Sequence, residues 1–252
     1  HAGKAVAQLR KAHEKDCSVP RADPAGLGCC DLNQFTSHAS GTPLTADRKI
    51  SLGAVKHLVD GSLQCYTGCL SNPYHKIIYD LPDGPMWRGY PMEPEQQFIE
   101  KVVGLPGRLQ LAIHGNGDAG IEDILNAFEE AQKAYPRANA RHIIIHCQTV
   151  REDQLDRIER LGVVPSFFTV HTYYWGDRHR DLFLGPERAA RMDPCAPRWI
   201  AARDHRALRL PHRPADPLSV HLGQRQPLTS SGQVLGPDQR ISVLEALRAI
   251  PL

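Results

Sequence analysis

The stretch LQLAIHGNGDAG, residues 109–120, constrains this chain more than any other. Leu109, Leu111, Ala112 and Ile113 form a nearly continuous apolar run, which suits a strand covered on both faces, as in a parallel sheet. The run then ends in His114 and Gly-Asn-Gly-Asp. A buried strand has no need of an imidazole, and α/β folds place their chemistry at the carboxyl ends of such strands. The pattern recurs in RHIIIHCQ, where His146 closes a second apolar run 32 positions after His114, about one βαβ unit.

The segments around these two runs extend the alternation. AVKHLVDGS predicts a strand from Ala54 to Val59, stopped by Asp60-Gly61. A long loop through NPYHKIIYDLPDGPMWRGYP leads to a helix over Glu93 to Val103. Between the histidine strands, Ile121, Ile124, Leu125, Phe128 and Ala131 fall at helical intervals and predict a helix from Asp118 to Tyr135, closed by Pro136. After His146, Thr149 and Glu152 have capping-box spacing, and the helix carrying Leu155, Ile158 and Leu161 ends at Gly162. VVPSFFTVH predicts a further strand ending near His171, followed by two short helical patterns, a strand at Ala207–Leu210 and a terminal helix with a capping box at Ser242 and Glu245. Residues 1–16 have a helical pattern, and 17–49 lack periodicity.

Composition sets few limits. A chain of 252 residues, 41% hydrophobic and 23% charged, is in the soluble globular range. A net charge of +2 from 30 basic and 28 acidic residues implies no strongly charged partner. The basic run from Arg198 to Arg213 lacks aromatic interleaving and reads as a solvated surface, so no nucleic-acid partner is expected. Seven cysteines without a C-x-x-C pair make neither a disulfide framework nor a structural zinc site, which sets a cytoplasmic location as the expectation. No apolar stretch reaches membrane-spanning length, and the opening residues do not read as a signal peptide. The first residue, histidine, hints at a fragment.

The strand ends carry the candidate chemistry. Lys56 lies on the first strand, and His114, His146 and His171 end the next three. Neutral imidazoles on adjacent strand ends suit zinc, whereas a single strand-end histidine is more commonly a structural hydrogen-bonder. Asp118 reads as a plain helix cap or as a group orienting His114. The glycines after His114 would let backbone pass close to a bound group. Tyr173, Tyr174 and Trp175 either line a substrate pocket or pack a loop.

VKHLVDGSLQCYTG, LAIHGNGDAGIEDIL, RHIIIHCQ and VPSFFTVHTYYWGDRHRDLFLGPERAAR together resemble the amidohydrolase superfamily, and within it the branch of N-substituted formamide deformylases and AepA-like proteins. The resemblance runs from about Ile50 to Leu252. It implies an α/β fold of the (β/α)8 TIM-barrel type, here an incomplete one covering about strands four to eight. Residues 50–252 would form this partial barrel, and 1–49 a poorly matching N-terminal segment. It also implies a divalent metal, by chemistry zinc, and hydrolysis of an amide-like, non-peptide carbon–nitrogen bond in a small molecule by metal-activated water. Lys56, matching a lysine that is often carboxylated in the family, would be a metal ligand with His114 and His146, and His171 and Tyr173 would face the substrate.

The chain also departs from the family pattern. No His-x-His pair occurs, Ile145 stands where the family has glutamate, and Arg213 falls near the expected position of the strand-eight aspartate. Asp216 becomes the candidate base if the alignment slips by three residues. These departures imply an alternative: a catalytically inactive remnant or ligand-binding regulatory protein of the same fold. Uncovered strand edges in a partial barrel would favour self-association.

Overall fold

In a computed structural model of the chain, residues 39–43, 46–48, 51–105, 107–168, 170–192, 227–242 and 244 are described. The candidate base Asp216, the Arg198–Arg213 run, the strand expected at Ala207–Leu210, the opening helix and most of the terminal helix lie outside them.

Four parallel strands form the centre: β1 (Val55–Leu58), β2 (Leu111–Gly115), β3 (Ile143–His146) and β4 (Val164–Phe167), hydrogen-bonded in the order β1-β2-β3-β4. Helices connect them: α1 (Glu95–Gly104), α2 (Asp118–Ala134) and α3 (Glu152–Leu161). Helix α4 (Val170–Arg178) follows β4, and α5 (Pro186–Ala189) is a single short turn. The α/β alternation and parallel sheet match the sequence reading, with element bounds moved by one or two residues. His171 is the exception: β4 stops at Phe167, and His171 occupies the first turn of α4 rather than a strand end.

Register decides which residues share a face. In one row Lys56 pairs with Ala112 and Ala112 with Ile143; two residues on, Leu58, His114, Ile145 and Ser166 lie side by side. The intervening rows point to the helices. Leu111, Ile113, Ile144 and Phe167 join Phe98, Ile121, Ile124, Leu125, Phe128, Leu155 and Ile158 in one buried cluster. Burying apolar side chains of this size contributes about 1.5–3 kcal/mol each, so this sheet–helix layer is the main source of stability. A smaller cluster around Leu63, Tyr66, Leu70, Tyr74 and Phe183 anchors the loop after β1 against the chain following α4.

The α3 cap differs in detail from expectation. The Gln154 side chain accepts from the Arg151 backbone N–H at 3.1 Å, two residues along from the expected Thr149–Glu152 pair. Thr149 instead donates its hydroxyl to the Asn116 carbonyl at 2.7 Å, tying the loop after β3 to the loop after β2. Among the described residues no helix is long and apolar enough to cross a membrane.

Candidate active site

The carboxyl ends of β1 and β2 meet around a buried carboxylate that the sequence reading treated only as a strand stop. Asp60 is fully buried. Its oxygens accept from the backbone N–H groups of Cys69 (2.9 Å), Asn116 (3.0 Å) and Gly117 (2.7 Å). Burial pushes its pKa up to about 6 against the opposing pull of these three bonds. Asp60 thus ties the end of β1, the loop after it and the end of β2 together.

The glycines after His114 allow close packing within the chain, Gly117 against the loop after β1 and Gly115 against α2. A Cβ on Gly117 would lie 1.9 Å from the Cys69 carbonyl oxygen, and one on Gly115 would lie 2.6 Å from the Ile124 side chain. The same Cys69 carbonyl accepts from Ala119 and Gly120 at 3.1 and 3.2 Å, satisfying donors that the first turn of α2 leaves open. Asp118 does not orient His114. Its carboxylate accepts from the Ser71 backbone at 3.0 Å and from the Ser71 hydroxyl, and Arg151 lies 3.4 Å away.

His114 is held by other groups. Its Nε2 lies 3.0 Å from the Gly61 carbonyl and 3.6 Å from Asp60 Oδ1. Asn116 Nδ2 stands 3.0 Å from the same nitrogen, so Nε2 faces an acceptor and a donor at once, and these contacts hold the ring in place without fixing its tautomer. Asn116 Nδ2 donates to the same carbonyl at 2.8 Å, and its Oδ1 is buried without a hydrogen-bond partner among the described residues. Burial lowers the pKa of His114; the Gly61 bond opposes this, and the charges of Lys56 and His171 add to it. The ring is therefore neutral near pH 7.

His146 reaches the same place by breaking the strand pleat. Register pairs it with Gly115 and Phe167, and Phe167 belongs to the cluster under the helices. Its backbone, however, turns left-handed, with φ 68° at His146 and 50° at Cys147. Such angles are unfavourable for residues with a Cβ, by roughly 1–2 kcal/mol each, and they concentrate at functional sites. The His146 ring stands 4.8 Å, centre to centre, from His114 and 5.5 Å from His171. Two imidazoles sharing one tetrahedral cation at about 2.0–2.1 Å would have their centres roughly 5 Å apart, so this pair is compatible with one ion.

The expected residues are thus brought together in part. His114, His146 and His171 form a line of rings, with Lys56 close enough for its charge to act on His114. Tyr173 packs against Tyr174 at 5.1 Å and is half exposed. Among the described residues, no group of three or more His, Cys, Asp or Glu side chains is placed to hold a metal ion. Sequence reasoning missed Asp60 and Asn116 as parts of this rim. An acidic residue directly after an apolar strand on the histidine rim was the available signal for the first; the asparagine, set between two glycines, carried none.

Residues 19–250 match the family described as the amidohydrolase family. The putative amidohydrolase YtcJ of Bacillus subtilis (strain 168) is 27% identical over 131 residues, which are 50% of this chain and 23% of that protein. An uncharacterized metal-dependent hydrolase from Pyrococcus horikoshii OT3 superposes with a TM-score of 0.71 at 24% identity, covering 98% of this chain and 48% of the other. A second, from Pyrococcus furiosus, gives 0.66 at 24% identity over 97% and 47%. These two likenesses establish the fold alone. The chain spans under a quarter of the curated relative it matches and about half of each solved structure. With the family match running over nearly its whole length, the chain belongs to the amidohydrolase family.

Proposed function

We propose that the chain forms part of a (β/α)8 hydrolase barrel that cleaves an amide-like, non-peptide carbon–nitrogen bond, in the branch of the N-substituted formamide deformylases and AepA-like proteins. Family membership and the names of the two solved neighbours, both metal-dependent hydrolases, support this reading. The observation that carries it is the juxtaposition of His114 and His146 at adjacent strand ends, their ring centres 4.8 Å apart.

In this reading His114 and His146 hold a divalent cation, zinc by the chemistry of two neutral imidazoles, and Lys56 is the third candidate ligand once its amine is carboxylated, since an ammonium has no lone pair to give. When bound, such a metal supplies a water acidified toward pKa of about 7 and a Lewis acid for the scissile carbonyl. The protein's own contributions lie around it. Gly61 and Asn116 hold the tilt of His114 from behind, as outer partners of a ligating histidine commonly do. Burial keeps that ring neutral, the only state with a lone pair to give. His171 and Tyr173 take the substrate side, and Asp216 is the candidate base that moves the proton to the leaving nitrogen.

The test is metal content and turnover measured on one preparation. The dialysed chain is expected to retain about one equivalent of zinc and to release amine from N-formyl or N-acyl amines. Absence of both would remove the proposal. Retained metal without turnover would favour a second reading, an inactive or ligand-binding relative using the same pocket. Support for that reading comes from Arg213 near the expected aspartate position and from the absence, among the described residues, of a group of three metal-ligating side chains.

A further inference from the structure

The left-handed backbone at His146 and Cys147 brings the His146 ring beside His114, and such a turn persists only where its surroundings over-determine it. The loop after β2 holds one side. The Cys147 N–H donates to the Gly115 carbonyl at 3.0 Å, and the Thr149 N–H donates to the Asn116 carbonyl at 3.0 Å. Between these two ties stands Gln148, whose side chain is fully buried. Its partners belong to the chain that follows α4.

Gln148 Nε2 lies 3.3 Å from His179 Nε2 and 3.3 Å from the Met192 sulfur. Gln64 Nε2, from the loop after β1, lies 3.4 Å from the same ring nitrogen. Amide nitrogens donate, so Nε2 of His179 accepts and the ring proton is on Nδ1. A reversed Gln148 amide would set its oxygen against the thioether, acceptor facing acceptor, so Met192 selects the orientation. His179 is itself fixed. It is fully buried, its ring meets Phe183 edge-on with centres 5.5 Å apart, and its carbonyl accepts the Leu184 N–H at 2.8 Å in a π-type turn. Burial, with the charge of His171 adding to it, lowers the pKa of His179 to about 3, so the accepting nitrogen stays unprotonated near pH 7. Packing alone does not account for this arrangement. Gln148 Oε1 and His179 Nδ1 are buried without a hydrogen-bond partner among the described residues, whereas an apolar pair of similar shape would leave no polar atom unsatisfied.

We propose that His179 is a positioning residue for His146 and acts through Gln148. The buried imidazole anchors the glutamine, and the anchored glutamine holds the left-handed turn that sets the His146 ring beside His114. Neither side chain has to reach a substrate or a metal for this. The inference rests on the hydrolase reading only for the use made of the His146 ring; the turn and its anchor belong to the chain alone.

His179→Leu removes the anchor and keeps a buried apolar side chain. In the full metal-free chain, the carbon-13 shifts of Cα and Cβ at His146 and Cys147 report the left-handed backbone, and in this variant they are expected to move toward extended values. Zinc affinity should fall about tenfold to a hundredfold, the range for loss of an outer support. His179→Gln, whose side-chain oxygen can stand where Nε2 stood, should recover most of both readings, and the merely destabilising Gly162→Ala should move neither. Left-handed shifts retained in a folded His179→Leu, or equal losses in the leucine and glutamine variants, would overturn the proposal. If His179→Leu does not fold, Met192→Leu takes the second acceptor from Gln148 and keeps the volume; it should move the same shifts the same way by less, and no movement overturns the proposal as well. Shifts that move while zinc affinity stays unchanged would support the anchor and refute His146 as a ligand, which tells the two failures apart.

Discussion

His142 and His146 bracket the same short strand, and their surroundings differ in kind. His142 Nδ1 accepts the Leu111 backbone N–H at 3.1 Å, and the ring stacks on Phe128 with centres 4.7 Å apart. Burial, helped by the Arg137 charge, pulls its pKa down to about 4. This is a histidine used as structure: neutral, packed and tied to backbone. His146, four residues on, is held by a left-handed backbone among the rings of His114, Phe168 and His171. Nothing in core packing calls for three imidazoles in a row at one rim of a sheet. The comparison separates a stability end of the sheet from a chemistry end, the division that α/β barrels show between their two faces.

The strongest way to break that division is Asp60→Ala. It sits at the chemistry end but is expected to act on stability, because three backbone N–H groups lose their acceptor together. A loss of about 4 kcal/mol in urea unfolding is expected, and a change under 1 kcal/mol would show that the rim does not depend on this carboxylate.

His146→Ala tests the opposite property. Zinc affinity should fall roughly a hundredfold or more, beyond what loss of a supporting group does, while the unfolding midpoint of the metal-free chain stays near that of the parent. Unchanged zinc content after dialysis would refute the assignment of His146 as a ligand.

His142→Leu should invert that result: zinc binding unaltered, and stability lower by about 2 kcal/mol, since the Leu111 N–H is left buried without an acceptor. It also sharpens the comparison through pH. The unfolded ring takes its proton near the ordinary value of 6.5 and the folded ring only near 4. Between those values the unfolded chain binds more protons, so stability conferred by neutral His142 is complete above pH 6.5 and is lost as pH falls toward 4. The variant should show a shallower decline across that window in chemical denaturation. An identical slope would mean that other groups set it.

The smallest effect is expected at the same end, from Gly162→Ala. Gly162 closes α3 with φ 64°. A Cβ there should lower stability by about 1 kcal/mol and leave metal binding alone.

Much of the scaffold was legible because the burial pattern is local. Continuous apolar runs before His114 and His146 belong to strands covered on both faces, and the stripe from Ile121 to Phe128 faces the sheet. The site was legible only as residue types at strand ends. Strand periodicity points His146 towards the helices, and nothing in His-Cys, neither Gly nor Asn, announces the left-handed turn that redirects it. Asp60 looked like turn chemistry because Asp-Gly is a common turn pair; its role depends on backbone N–H groups from residues 69, 116 and 117, which no local pattern reveals. Gln148 and His179 are 31 positions apart and meet only through tertiary packing. The need for glycine after His114 is legible, but the neighbours that impose it are not: the Cys69 carbonyl lies against Gly117 and the Ile124 side chain against Gly115.

The left-handed pair at His146 and Cys147 also sets what substitutions these positions can accept. Cys147 is fully buried in the main core cluster, an environment that ordinarily welcomes valine or isoleucine. Its φ of 50° forbids them, because branching at Cβ collides with the backbone in that conformation. A saturation library selected for folding should therefore be depleted of the most hydrophobic β-branched residues at 147 and enriched in glycine and asparagine, the reverse of the usual preference of a buried site.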